Sequence, residues 1–244
     1  QYVFTIPHVL RGFFRRNRYL LKELSRVAWE SVKEFFQILC PQAGEDAVAG
    51  GVSCPQTCGN LLNWHPHIHM LVTDGLFAND GTFYSLPELT SEELDDLTRL
   101  FRAKVINMLR DKALLSEELA NKILSWRHNS GFSVHNKVRI EAGDREGLER
   151  VARYIIRSPV SLCRLQYSNG VIIYHSNTNK IHPGFKGNFR IFDPLSFIAE
   201  LTQHIPLRRR AQVIYYGRYS SASRGKRKRD EGNSDPRVVV ASST

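Results

Sequence analysis

Three histidines at alternate positions, His65, His67 and His69, are the residues whose type and spacing point most directly to chemistry. They open an apolar stretch that ends at Asp74-Gly75, which is typical of a buried strand followed by a turn. Because side chains two positions apart on a strand share a face, we expect the three imidazoles to form one row. A divalent metal ion satisfies such crowded groups well, since neutral imidazole is a common metal ligand. The alternative is a polar strand face whose histidines hydrogen-bond to backbone or water.

A second candidate for chemistry is Tyr154, near the end of a helix that we predict over residues 144–157. A metal held by imidazoles polarises a phosphoryl oxygen or activates water, but it supplies no protein nucleophile. Tyrosine becomes a useful nucleophile when cations, a metal or a base favour its phenolate. Arg150, Arg153 and Arg157 could supply that field and bind phosphates bidentately. From these residues alone, packing is the simpler role for Tyr154.

The length and composition limit the kind of fold that can position these residues. With 244 residues, 42% of them hydrophobic, the chain can bury a substantial core as one domain or one domain with an appendage. No apolar run reaches membrane-spanning length, so we expect no membrane partner. Four irregularly spaced cysteines favour a reducing, cytoplasmic location over a disulfide framework. The abrupt start at Gln1, directly before a strand-like segment, suggests a fragment of a longer protein.

The positive charge is unevenly distributed. The formal net charge is +10, and residues 208–244 hold ten Lys or Arg against three Asp or Glu. Two further basic clusters lie inside predicted folded segments and favour a nucleic-acid partner: Arg11, Arg15, Arg16 and Arg18, then Arg150, Arg153, Arg157 and Arg164. The alternative interpretation is a set of solvated faces with a flexible tail.

The pattern of apolar residues predicts a mixture of strands and helices. Strands are predicted at 2–6, 52–57, 63–72, 162–167, 171–175 and 212–216, and helices at about 17–39, 90–111, 116–126, 144–157 and 193–204. Turn signals such as Asn79-Asp80-Gly81 and Ser168-Asn169-Gly170 join strands as hairpins. The predicted class is therefore α+β with a mainly antiparallel sheet. We predict a folded domain over 1–219 and a basic disordered tail over 220–244.

Against this background, His67-Ile68-His69 resembles the histidine–hydrophobic–histidine (HUH) motif of single-strand DNA endonucleases. The wider sequence is similar to the rolling-circle transposases of insertion sequences, in the family's order over roughly residues 1 to 225. The matching segments are Phe4-Thr5-Ile6-Pro7, Asn63 through Gly75, Ala152-Arg153-Tyr154-Ile155 with Ser158-Pro159, Phe192-Asp193-Pro194-Leu195, and Tyr215 through Ser220. A three-residue motif alone could not establish this.

The resemblance implies a ferredoxin-like central antiparallel sheet flanked by helices, with the HUH motif on a middle strand. It implies that His67 and His69 bind Mg²⁺ or Mn²⁺, and that Tyr154 attacks single-stranded DNA at transposon ends. The products would be a 5′-phosphotyrosine and a free 3′-hydroxyl, and the reverse step would join strands. For the third metal ligand, His65 is the first choice and Gln56 the second. Arg150, Arg153 and Arg157 are the expected DNA-binding residues, and the location would be a bacterial-type cytoplasm, at the nucleoid.

Two departures from the family are visible. Many relatives carry two tyrosines four residues apart on this helix, but the earlier position here is Arg150, which predicts a single-tyrosine enzyme. The cysteine-rich zinc module with which relatives begin is absent from this sequence. Two other hypotheses stay open: an inactive remnant that binds single-stranded DNA, and a metal-dependent nuclease that uses activated water.

Overall fold

Eleven strands and seven helices make up the computed structural model, which describes residues 1–126, 131–178, 181, 187–230 and 240–241. The strands are β1 (Tyr2–Thr5), β2 (Gly50–Cys58), β3 (Trp64–Val72), β4 (Gly75–Phe77), β5 (Phe83–Ser85), β6 (Ser133–His135), β7 (Leu165–Ser168), β8 (Val171–His175), β9 (Phe189–Phe192), β10 (Ile214–Gly217) and β11 (Val240–Ala241). The helices are α1 (His8–Arg16), α2 (Leu20–Leu39), α3 (Ser91–Asp111), α4 (Glu117–Leu124), α5 (Arg145–Ile155), α6 (Pro194–Thr202) and α7 (Ser221–Asp230).

A five-stranded sheet carries the histidines, with strand order β10-β2-β3-β1-β6 and antiparallel pairing throughout. The histidine strand β3 is its middle member, between β2 and β1. The predicted α+β class, with the histidine motif on the middle strand of a central antiparallel sheet flanked by helices, is therefore confirmed.

The two faces of β3 have different surroundings because its side chains alternate. Ile68 and Met70 are fully buried in the main core, where the sheet meets helices α2 and α3. In the same core, the rings of Phe4 and Phe101 pack edge to face with centroids 5.0 Å apart. This core fixes the strand, so that the opposite face must present the histidines.

Helix α3 shows how local sequence sets an element boundary. The Thr90 side chain accepts a hydrogen bond from the backbone N–H of Glu93, and the Glu93 carboxylate accepts one from the backbone N–H of Thr90. This reciprocal capping box satisfies two donors that a helix start leaves unpaired.

A smaller three-stranded sheet, β7-β8-β9, packs with α6 beside the main sheet. Its own core contains Leu62, Tyr174, Phe192 and Phe197. The predicted hairpin turn is confirmed, because Asn169 and Gly170 both have positive φ, 49° and 78°, as such a turn requires. The sequence did not predict β9.

Four other features differ from the sequence-based predictions. Helix α1 was not predicted, and the single helix expected over 17–39 begins at Leu20. Helix α5 ends at Ile155 rather than residue 157. The tail predicted to be disordered from residue 220 begins instead with helix α7, while residues 231–239 and 242–244 of that prediction lie outside the described residues. Within the described chain, no helix combines the length and the apolar character needed to cross a membrane.

Candidate active site

The three predicted imidazoles form one row on β3. The ring centroids of His65 and His67 are 5.1 Å apart, and those of His67 and His69 are 4.9 Å apart. His67 and His69 are buried, and His65 is half-buried. Across the sheet, His67 pairs with Gln56 of β2 and with Thr5 of β1. Since paired residues share a face, Gln56 lies on the histidine side of the sheet.

Helix α5 brings Tyr154 to this row. The Asp144 side chain caps the helix start by accepting a hydrogen bond from the Gly147 backbone N–H. At the other end, the carbonyl oxygen of the buried residue Ile155 accepts hydrogen bonds from the Gln56 amide and from the Cys54 thiol. This attachment to β2 holds the last helical turn over the sheet. The Tyr154 ring therefore stands edge to face against His69, with 5.8 Å between centroids.

Of the three predicted arginines, Arg157 contacts the tyrosine. Its guanidinium carbon lies 4.2 Å from the centre of the Tyr154 ring, within the range of a cation–π interaction. Arg153 instead pairs with Glu149 at 3.6 Å and is largely exposed. Arg150 is exposed one turn before Tyr154, and within the described residues it forms no ion pair or hydrogen bond with the site. The structure thus brings together the histidine row, Tyr154 and Arg157.

Comparison with known proteins identifies the family of the chain. A family model, Y2_Tnp, whose description reads "Putative transposase", matches residues 50–227, well over half of the chain and inclusive of both the histidine strand and α5. The chain belongs to this transposase family. It is also 24% identical over 228 residues to the "Transposase for insertion sequence element IS801" of Pseudomonas savastanoi pv. phaseolicola. That match covers 88% of this chain and 52% of the relative, so the chain spans about half the relative's length. No solved structure matches the chain.

The imidazoles of this candidate site are held in the neutral form. Burial, reinforced by the neighbouring ring of His67 and by an arginine, lowers the pKa of both His65 and His69 to about 3. Burial likewise lowers the pKa of His67. Neutral imidazole is the form that binds a metal ion, so these rings are ready to act as ligands at neutral pH.

The hydrogen bonds of the row set the tautomers of His67 and His69 differently. His67 Nδ1 lies 2.7 Å from the His65 carbonyl oxygen and donates to it, so that the His67 Nε2 lone pair stays available. The Gln1 amide N–H donates to His69 Nδ1 at 2.8 Å, so that in this arrangement the neutral His69 ring carries its proton on Nε2.

The donor set fits a hard divalent cation in part. Within the described residues, no three His, Cys, Asp or Glu side chains form a group arranged to hold an ion. His67 offers its Nε2, and His69 offers its Nε2 when the Gln1 amide turns its oxygen, in place of its nitrogen, toward Nδ1. The Gln56 amide nitrogen donates to Ile155, which leaves the Gln56 amide oxygen free to coordinate a cation. His65, the other predicted third ligand, is the next ring in the row.

Sequence reasoning missed one residue of the site, Arg11 of α1. Its charge acts on both His65 and His67 and lowers their pKa, and burial lowers the pKa of Arg11 itself. Helix α1 is attached to the start of β3 where the Trp64 indole N–H donates to the Arg11 carbonyl oxygen at 3.1 Å. The basic cluster around Arg11 is visible in the sequence, but its position beside the histidines depends on this contact.

Proposed function

We propose that this chain nicks and rejoins single-stranded DNA at transposon ends, through a 5′-phosphotyrosine formed on Tyr154 in rolling-circle transposition. Family membership supports transposition as the process. The observation that carries the mechanism is the packing of the Tyr154 ring against His69, because it sets a nucleophile beside the predicted metal ligands. Tyr154 is 46% exposed, so that a substrate can reach it.

In the proposed reaction, the Tyr154 phenolic oxygen attacks the phosphorus atom of the scissile phosphodiester. A bond forms between phosphorus and the tyrosine oxygen, and the bond between phosphorus and the 3′ oxygen breaks. The phenolic proton leaves to the solvent that reaches the half-exposed ring, and the departing 3′ oxygen takes up a proton. Arg157 stabilises the negative charge that develops on the phenolic oxygen. Attack by a 3′-hydroxyl on the phosphotyrosine reverses these bond changes and joins strands.

We propose His67 and His69 as metal ligands, with Gln56 or His65 as the third. Mg²⁺ or Mn²⁺ bound there would polarise the phosphoryl oxygens. The neutral state of the buried imidazoles and the hydrogen bond on His67 Nδ1 support this assignment. The test is calorimetric titration with Mn²⁺, in which His67→Ala and His69→Ala should each weaken binding, about 10-fold or more.

The test of the proposed function is incubation of the chain with a 5′- or 3′-labelled single-stranded oligonucleotide and Mn²⁺, followed by denaturing electrophoresis. We expect a protein band shifted by a covalently attached 5′ end, and its loss in Tyr154→Phe. Tyr167→Phe is the matched control, because Tyr167 is an exposed tyrosine on β7 outside the histidine site. An adduct that persists in Tyr154→Phe would overturn the assignment.

The same experiment separates the two remaining hypotheses. Cleavage without a covalent adduct, unaffected by Tyr154→Phe, would identify a nuclease that uses activated water. Binding of the oligonucleotide with neither cleavage nor adduct would identify an inactive DNA-binding remnant.

A further inference from the structure

A large cleft runs beside the outer edge of β2. Strand β10 pairs with β2 only over Gly50–Ser53, so in the described chain the second half of β2 has no strand on that side. The cleft at this edge has a volume of about 1030 Å³. Its walls are the start of α2, the chain just after α5 (155–161) and residues 203–215. This volume is at the upper end of the range for small-ligand pockets, ~300–1,000 Å³, which suits a segment of polymer.

The charge of the cleft has one sign. No Asp or Glu is among its described lining residues, whereas six cationic side chains are: Arg18, Lys22, Arg157, Arg164, Arg209 and Arg210. None of the six forms an ion pair in the part of the chain that the structure describes. Walls of one charge concentrate the opposite charge between them, so this cleft attracts a polyanion. We call this cleft, with its six cationic side chains, the basic cleft.

Two of the cations are fixed in place. The Arg18 guanidinium donates to the Ile205 carbonyl oxygen at 2.6 Å, and the Arg164 guanidinium donates to the His175 carbonyl oxygen at 2.7 Å. Because these bonds are made to neutral acceptors, the positive charges stay uncompensated while the side chains are held in position. Preorganised cations bind phosphates with little ordering cost.

The basic cleft also presents aromatic rings. Tyr19 is 59% exposed, with the Arg210 guanidinium carbon 4.6 Å from its ring centre, and Tyr215 is 46% exposed. Exposed aromatic rings beside arginines form stacking platforms for unpaired bases, whose faces are hidden within a duplex. This combination favours a single strand over double-stranded nucleic acid.

The basic cleft is continuous with the candidate active site through Arg157. This residue lines the cleft and also lies over the Tyr154 ring. Gln56 and Ile155, which attach α5 to the sheet, line it as well. A strand lying in the cleft would therefore present a phosphate next to Tyr154.

We propose that the basic cleft binds the stretch of single-stranded DNA adjoining the scissile phosphate, with Arg209 and Arg210 contacting its phosphates and Tyr19 stacking on a base. This inference rests on the proposed function, which it deepens by locating the strand. It assigns the substrate to residues 203–215 and the start of α2.

The test is equilibrium binding of a fluorescent 20-nucleotide single strand to the full chain, by anisotropy, over a range of salt concentrations. All variants carry Tyr154→Phe, so that covalent chemistry does not contribute. We expect Arg209→Gln with Arg210→Gln to make the log–log salt slope shallower by about 1.4, and to weaken binding about 25-fold at 0.1 M salt. Tyr19→Leu should weaken binding about fivefold or more.

The matched control is Arg99→Gln with Arg110→Gln, which removes two arginines of α3 that do not line the cleft. Equal weakening by the control pair would overturn the proposal, as would unchanged binding by the cleft pair in variants with an unchanged unfolding midpoint. Equal competition by duplex DNA, or stronger competition by RNA of the same sequence, would overturn the assignment to single-stranded DNA.

Failure of this inference is distinguishable from failure of the proposed function. If the chain with Tyr154 intact forms the covalent adduct but the cleft variants bind normally, the cleft proposal is wrong and the function stands. If no adduct forms but the cleft variants lose binding, the cleft proposal stands and the chain is a binding remnant.

Discussion

Replacing Arg157 tests whether this residue activates Tyr154. Its guanidinium carbon is 4.2 Å from the ring centre, and the ring is 46% exposed, so solvent screens the pair. At an exposed site the cation–π contact that positions the ring contributes about 0.5–1 kcal/mol. A unit charge about 4 Å from a developing phenolate adds about 1 kcal/mol in water. The sum, about 1.5–2 kcal/mol, corresponds to a rate loss of about 10- to 30-fold in Arg157→Gln.

The assay is the single-turnover rate of adduct formation at saturating oligonucleotide and Mn²⁺, where a change in DNA affinity no longer affects the rate. Arg157→Lys keeps the charge but loses the planar contact, so we expect a loss of only about 2- to 5-fold. Arg153→Gln is the control, because it removes the same charge from the adjacent turn while its side chain pairs with Glu149. A rate for Arg157→Gln within twofold of the parent, or an equal loss in Arg153→Gln, would refute the reasoning.

Three further predictions concern stability, each measured by urea unfolding. Burial lowers the pKa of His204 against the opposing charge of Glu200, so that the unfolded state binds this proton more tightly than the folded state. Stability should therefore fall as the pH drops below about 6.5, and it should fall less steeply in His204→Gln. Gly217→Ala should lower the free energy of unfolding by more than ~2 kcal/mol, because φ is +54° and a Cβ would lie 2.1 Å from a backbone oxygen. Gly12→Ala, whose Cβ meets open space in α1, should raise the free energy of unfolding by ~0.5–1 kcal/mol. Thr90→Ala should lose about 1 kcal/mol with the capping box, while its neighbour Ser91→Ala should change stability by less than ~0.5 kcal/mol.

Patterns within one element were predictable from the sequence because they depend on local periodicity. The alternation of His65, His67 and His69 set them on one face of a strand, and the ring contacts confirm it. The sequence also predicted that Tyr154 lies near the end of a helix, although that helix ends at Ile155, before Arg157. Apolar periodicity and turn residues likewise predicted the α+β class.

Elements that are short or that lack an apolar period were missed. Helix α7 has a polar, basic sequence with no buried stripe, and its signal is a cap, in which the Ser220 hydroxyl accepts from the Ser223 backbone N–H at 3.2 Å. Helix α1 has an apolar face in Leu10, Phe13 and Phe14, but with nine residues it offers only one repeat of that pattern, and Pro7 and Gly12 interrupt the signal. Strand β9 has four residues, too few for a reliable alternating pattern.

The sequence by itself determined that the imidazoles share one face of a strand and that the tyrosine lies near the end of a helix. Only the tertiary structure decided that the helix lies over that strand, because this depends on bonds between residues far apart in the chain, such as the Gln56 amide with the Ile155 carbonyl. It also decided that the cations at 18, 22, 157, 164, 209 and 210 face one cleft. Local periodicity reflects the geometry of a single element, whereas the contact between two elements is fixed by packing, which a sequence spacing does not specify.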